Sequence, residues 1–144
     1  MNEIHDANQL FLEKKFQNAI EKYNQILKYD PKNLIALNNK GYALSKLKKF
    51  NDALICYNES LKIQPNDRIV LINKISIFRK IGNINEAMKL CDLLLKKHPD
   101  ELIVLYHKLR LLKKLEKFNE SNLICKKILS YYPNNLEIRN ELIR

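Results

Sequence analysis

Apolar residues along this chain recur at steps of three and four, in short runs separated by polar breaks. Between 34 and 67, Leu37, Gly41, Leu44 and Leu47 form one series, and Phe50, Ala53, Leu54, Tyr57 and Leu61 form the next. Such spacing puts the apolar side chains on one face of an α-helix. The breaks fall around Lys48–Lys49, Gly82–Asn83 and Glu116–Lys117. An acid follows each break (Asp52, Glu86, Glu120), where negative charge favours the positive end of a helix dipole. Each second run stops at a proline: Pro31, Pro65, Pro99 or Pro133. Proline disfavours the α region for the residue before it, so Asp30, Gln64, His98 and Tyr132 are expected to end their helices. The Asn and Asp residues that follow are suited to capping the next helix. The pattern therefore predicts a succession of helical hairpins.

The four prolines lie 34 residues apart throughout, and the rest of the pattern keeps that period. Units run 1–33, 34–67, 68–101 and 102–135, with 136–144 left as a partial terminal helix. With the proline counted as position 32, position 20 reads Ala19, Ala53, Ala87 and Ser121, all small, as a close helix crossing requires. Position 28 reads Leu27, Leu61, Leu95 and Leu129, and position 24 reads Tyr23, Tyr57, Cys91 and Cys125. A lone hairpin cannot bury its apolar face, so repeats of this kind stack on their neighbours. The expectation is one all-α domain over 1–144. Leu136, Ile138, Leu142 and Ile143 give the terminal segment an apolar side. It is expected to cap the last hairpin partly, or to leave an apolar end through which the chain self-associates.

A hairpin of this period, with small residues near positions 8, 20 and 27, an aromatic near 24 and proline at 32, resembles the tetratricopeptide repeat (TPR) family. The second unit carries the resemblance best, with Gly41, Ala53, Tyr57, Ser60 and Pro65. The fourth departs most, with Leu109, Ser121, Cys125 and Ile128. The resemblance covers 1–135. It implies a right-handed α-solenoid of four TPR-like hairpins plus a C-terminal capping helix, a non-catalytic scaffold whose first helices line a concave groove for a partner's peptide. It also implies that Asn39 and Asn73, both at position six, contact peptide main chain. The family's clamp for acidic chaperone tails needs cations as well. Its matching positions here read Ile4, Asn8, Asn39, Ile69 and Asn73. Every cation is missing, so that mode is not expected.

Positions 2, 5, 6, 9, 12 and 13 of each first helix are neighbours at steps of three and four and form one stripe. The stripe reads Ile35, Asn38, Asn39, Tyr42, Ser45, Lys46 in the second unit and Ile69, Ile72, Asn73, Ser76, Arg79, Lys80 in the third. In the fourth it reads Ile103, Tyr106, His107, Arg110, Lys113, Lys114. The candidate peptide-binding residues are Asn39, Asn73, Tyr42, Arg79, Lys80, Tyr106, His107, Arg110, Lys113 and Lys114. Net charge is +10, and its distribution sharpens the picture. Bases match acids five to five in the first unit; the ratio becomes five to three, seven to four and then seven to two. An acidic protein or peptide partner fits this gradient best. Nucleic acid, RNA in particular, is the alternative, and architectural self-assembly through the ends is another. Two repeated columns complete the reading. Ile35, Ile69 and Ile103 are expected to pack between units. Lys40, Lys74 and Lys108 are expected to lay their stems along a neighbouring helix and reach solvent with their ammonium groups.

Two glycines and no tryptophan leave too little turn chemistry for a many-stranded β fold. Three scattered histidines, with no HExxH and no glycine-rich phosphate loop, predict no enzyme, no cofactor and no metal. Cys56, Cys91 and Cys125 sit at helix-core spacing and read as buried thiols in a reducing compartment. Residues 1–15 contain three acids and no apolar run, unlike a secretory signal. Unbroken apolar stretches reach five residues, as in Leu102–Tyr106, against about 20 for a membrane span. An intracellular, cytoplasmic chain without a membrane partner is expected.

Overall fold

The computed structural model describes residues 2–143, with side chains to Leu142. Met1 and Arg144, the outer ends of the expected segments 1–33 and 136–144, lie outside the described residues. Among those described there are nine helices and no strand. They are α1 (Glu3–Leu12), α2 (Phe16–Tyr29), α3 (Leu34–Lys46), α4 (Phe50–Ile63), α5 (Arg68–Lys80), α6 (Ile84–Lys97), α7 (Leu102–Lys114), α8 (Phe118–Tyr131) and α9 (Leu136–Ile143). Both helices of every expected repeat are present, followed by the short terminal helix.

The four turns inside the hairpins share one geometry. Lys14, Lys48, Gly82 and Glu116 each have positive φ, between 58° and 81°. Each turn closes the same way: Lys48 N–H donates to the Ser45 carbonyl and Lys49 N–H reaches back to Leu44 at 2.9 Å, with matching pairs in the other three turns. This is a Schellman stop, in which a left-handed residue lets two amides satisfy the last helical carbonyls. Between hairpins, Asp30, Gln64, His98 and Tyr132 leave the α region at φ near −130°, as a following proline demands. Asn33, Asp67 and Asn135 then cap α3, α5 and α9 by accepting backbone N–H bonds. Glu101, before α7, makes no side-chain cap bond.

The chain packs as two compact units, Met1–Ile77 and Phe78–Arg144, divided within α5. In the first, Ile20, Ala43, Leu44, Ala53, Cys56, Tyr57, Val70 and Ile77 form one core cluster, with Ala7, Ala19, Tyr23, Ile26 and Ala36 forming a second. Gly41 and Ala53 let α3 and α4 approach closely. In the second unit Ala87 and Ser121 take the crossing positions, and Leu105, Leu111, Ile128 and Ile138 are fully enclosed. A buried aliphatic side chain of this size contributes about 1.5–3 kcal/mol over an exposed one. Ile138 is the residue by which α9 is held, while Leu136 stays exposed.

Two columns behave differently from one another. Ile35, Ile69 and Ile103 were expected to pack, yet each stands in the first turn of its helix and is 54%, 69% and 54% exposed. The lysines do reach along a neighbouring helix, but they end on defined partners: Lys74 Nζ donates to Asn58 Oδ1 at 2.9 Å, and Lys108 Nζ pairs with Asp92 at 2.7 Å. In both, the partner lies sixteen residues earlier, on the second helix of the preceding hairpin.

Candidate functional site

In the second unit the basic stripe is only partly on the surface. Arg79 and Lys80 come from the last turn of α5, and Tyr106, His107, Arg110, Lys113 and Lys114 from α7. Lys80, Arg110 and Lys114 are exposed. His107 is not: only 7% of it is accessible, and its Nδ1 has no hydrogen-bond partner. This corrects the expectation that it faces a ligand directly. Position six falls here on the buried side of α7, which it shares with Val104, Leu105, Leu109, Leu111 and Leu112. Burial first, and then repulsion from Arg79, Arg110 and Lys80, together lower the His107 pKa to about 4. The imidazole is therefore neutral at physiological pH. Arg79 is half-buried, with its Nε enclosed and unpartnered.

Two other expected contacts are already engaged. Tyr106 is half-buried and its hydroxyl accepts from Asn135 Nδ2 at 2.8 Å. Lys113 forms an ion pair with Glu141 of α9, so the terminal helix takes up a cation counted toward the binding stripe. The fully available cations of this unit's stripe are Lys80, Arg110 and Lys114.

In the first unit the expected residues form two separate groups. Asn39 is half-buried, and its Nδ2 donates both to Asn8 Oδ1 and to the Tyr23 hydroxyl, each at 3.1 Å. Tyr23 in turn donates to Asn8 at 2.5 Å. Both amide protons of Asn39 are thus spent inside the protein, leaving its carbonyl oxygen for a peptide N–H. Asn73 lies beside the Tyr57 hydroxyl, but no bond of good geometry joins them and that hydroxyl is left unsatisfied. Tyr42 packs against Phe11 and Phe16 at ring-centroid distances of 5.4 and 6.5 Å, beneath Lys46.

Sequence reasoning missed Phe11 and Leu12, and it named Asn8 only as a clamp position. The three occupy positions 9, 12 and 13 of the first repeat, the register that picks out Tyr42, Ser45 and Lys46 in the second repeat, so the signal was present. Glu141 and Asn135 carried no such signal, since their partners depend on where α9 docks. Among the described residues no group of three or more His, Cys, Asp or Glu is placed to hold a metal ion, and no helix is long and apolar enough to cross a membrane. The three cysteines are buried and unpaired, and burial raises the pKa of each.

The tetratricopeptide repeat family model matches residues 35–67. The second hairpin is a tetratricopeptide repeat. The TPR fold extends over the whole chain. MamA (residues 41 to end) from Desulfovibrio magneticus RS-1 aligns with a TM-score of 0.85 at 15% identity, covering 97% of this chain and 79% of its own. A tetratricopeptide repeat protein from Parabacteroides merdae gives 0.82 at 20%, covering 94% of this chain, which spans 53% of that protein. The first TPR of Spaghetti (RPAP3), bound to the HSP90 peptide SRMEEVD, gives 0.65 at 23%, covering 76% of this chain and 89% of its own. Among curated proteins none matches the chain. The TPR architecture accounts for the buried small residues at position 20, and for Gly41 against Tyr57, as hairpin-packing contacts.

Proposed function

We propose that this protein, with its TPR fold, is a non-catalytic scaffold that binds an acidic segment of a partner protein through the basic face of its second compact unit, residues 78–144. The observation that carries this reading is that exposed Lys80 and Arg110 and half-buried Arg79, whose Nε has no partner, all lie close enough to buried His107 to oppose its protonation. Unopposed positive charge beside a low-dielectric interior is a strong attractor for carboxylates. Lys80, Arg110 and Lys114 make first contact, and Arg79 holds a positive charge at half-buried depth. In the first unit, the carbonyl of Asn39, the amide of Asn73 and the ring of Tyr42 offer main-chain and apolar contacts to a peptide. RNA is the weaker reading, because the aromatic of this stripe, Tyr106, is half-buried with its hydroxyl engaged and offers a poor stacking surface.

Fluorescence polarisation with a labelled Asp/Glu-rich peptide tests this. Micromolar affinity is expected, about −7 to −8 kcal/mol. Charge reversal at exposed Lys80 and Arg110 together should weaken it by about tenfold or more, exposed pairs contributing about 0.2–1 kcal/mol each and reversal adding repulsion. Unchanged affinity in the double variant, or tighter binding of a single-stranded RNA of equal charge, would rule the reading out.

A further inference from the structure

The first compact unit holds an open cavity of about 330 Å³ that none of the residues around His107 line. It lies where the turn between α1 and α2 meets the end of α3, and it is lined by Phe11, Leu12, Lys14, Phe16, Tyr42 and Lys46. Its size sits at the lower end of the range of about 300–1,000 Å³ for binding pockets. The walls are three half-buried rings that meet at angles: 73° between Phe11 and Phe16, 59° between Phe11 and Tyr42, and 62° between Phe16 and Tyr42. Rings so tilted make a cup and not a flat platform. Lys46 Nζ lies 5.1 Å from the Tyr42 centroid and occupies the face that a stacked base would need. Leu12, at the rim, is 73% exposed.

Charge selects what enters. Lys14 and Lys46 are the charged residues of the lining, and neither has an acidic group in it. The nearest acid along the chain, Glu13, is held by Gln9 at 3.1 Å and Lys15 at 3.0 Å. An apolar cup rimmed by two ammonium groups complements an apolar side chain with carboxylates next to it.

We propose that this cup binds one bulky apolar side chain, aromatic or branched aliphatic, of a partner protein segment that carries acidic residues on either side of it. The rings bury the side chain, and Lys14 and Lys46 face the flanking carboxylates. The proposal needs none of the residues around His107, so the two sites fail or succeed separately.

The full-length chain, followed by its amide proton–nitrogen correlation spectrum, provides the test. The probes are acetyl-Asp-Phe-Asp-amide, its Asp-Ala-Asp and Lys-Phe-Lys analogues, and adenosine monophosphate. The Asp-Phe-Asp probe is expected to shift amides in 11–16 and 42–46, with both analogues at least about tenfold weaker, as for loss of one buried ring or of the paired charges. A Lys14→Glu, Lys46→Glu variant should lose the same response while its spectrum stays folded. Glu is tolerated at the left-handed position of Lys14, since Glu116 occupies the equivalent one at φ 58°. No shift with Asp-Phe-Asp at about 10 mM, equal response to Lys-Phe-Lys, or stronger shifts with adenosine monophosphate would each overturn the proposal.

Discussion

Tyr57 lies against Gly41 so closely that a Cβ built on the glycine would stand 2.6 Å from the ring's Cε1 and 2.9 Å from Cδ1. The ring is fully buried between α3 and α4 and has nowhere to swing. Gly41→Ala should therefore destabilise the protein, although alanine is the better helix former by about 1 kcal/mol. Overpacking of a tight core costs about 1–3 kcal/mol, so the net loss is expected at up to about 2 kcal/mol. Urea unfolding measures it directly, and a gain in stability would show that the two helices separate easily.

The two position-24 tyrosines differ in one atom's surroundings. The Tyr23 hydroxyl donates to Asn8 and accepts from Asn39, whereas the Tyr57 hydroxyl is buried without a partner. Tyr23→Phe should cost about 1–2 kcal/mol, the loss of two partly buried hydrogen bonds. Tyr57→Phe should be neutral or raise stability by about 1 kcal/mol, because it removes an unpaid desolvation penalty. Equal losses from the two variants, measured by denaturant titration, would mean that Tyr57 finds a partner in solution.

Period and side-chain size made the hairpins, the crossings at Ala19, Ala53 and Ala87 and the proline stops readable, since these follow from local backbone rules and repeat spacing. What the sequence could not reveal was competition for the same polar atoms. Asn39 reads as a surface amide until Asn8 and Tyr23, far apart in sequence, are brought beside it. His107 reads as a groove residue until the structure places it among the buried residues of α7. Lys113 reads as a free cation until α9 delivers Glu141. The isoleucine column shows the converse: Ile35, Ile69 and Ile103 read as packing residues at the groove edge, but position two lies on the open side of each first helix, and the next residue (Ala36, Val70, Val104) takes the buried side. Repeat spacing locates a residue on a helix without saying what else converges there.

Three of the four hairpin turns place a residue with a Cβ in the left-handed region, Lys14, Lys48 and Glu116. Such a conformation costs about 1–2 kcal/mol for a non-glycine residue, offset by about 0.5–1 kcal/mol of extra glycine chain entropy. Lys48→Gly should thus stabilise by about 0.5–1 kcal/mol, roughly 2–4 °C in Tm for a chain of this length. Gly82→Ala should do the reverse by about 1 kcal/mol, and through the backbone alone, because nothing lies within 4 Å of the added Cβ at φ +81°. Thermal melts of both variants check the pair. A lower Tm for Lys48→Gly would point to a role for the lysine stem in the turn.

His107 should make stability depend on pH in a window that also reports ligand binding. Its folded pKa, about 4, lies below the ordinary value of 6.5, so between these limits the unfolded chain binds the proton and the folded one does not. Stability is then fully present above about pH 6.5 and falls as pH drops toward 4, by about 2–3 kcal/mol for a residue buried to this degree. Carboxylates also titrate near the lower limit, so the telling quantity is the difference between the native chain and His107→Gln across pH 7 to 4.5. That difference should shrink as pH falls, since the variant has no imidazole to protonate. An acidic peptide bound at Arg79, Lys80 and Arg110 neutralises part of the charge that opposes protonation. The His107 pKa should accordingly rise in the complex, and binding should strengthen as pH falls below the pKa of the bound form while the peptide's own carboxylates stay ionised. Imidazole resonances followed by pH titration, with and without peptide, measure the shift. An unchanged His107 pKa in a saturated complex would place the acidic segment elsewhere on the protein.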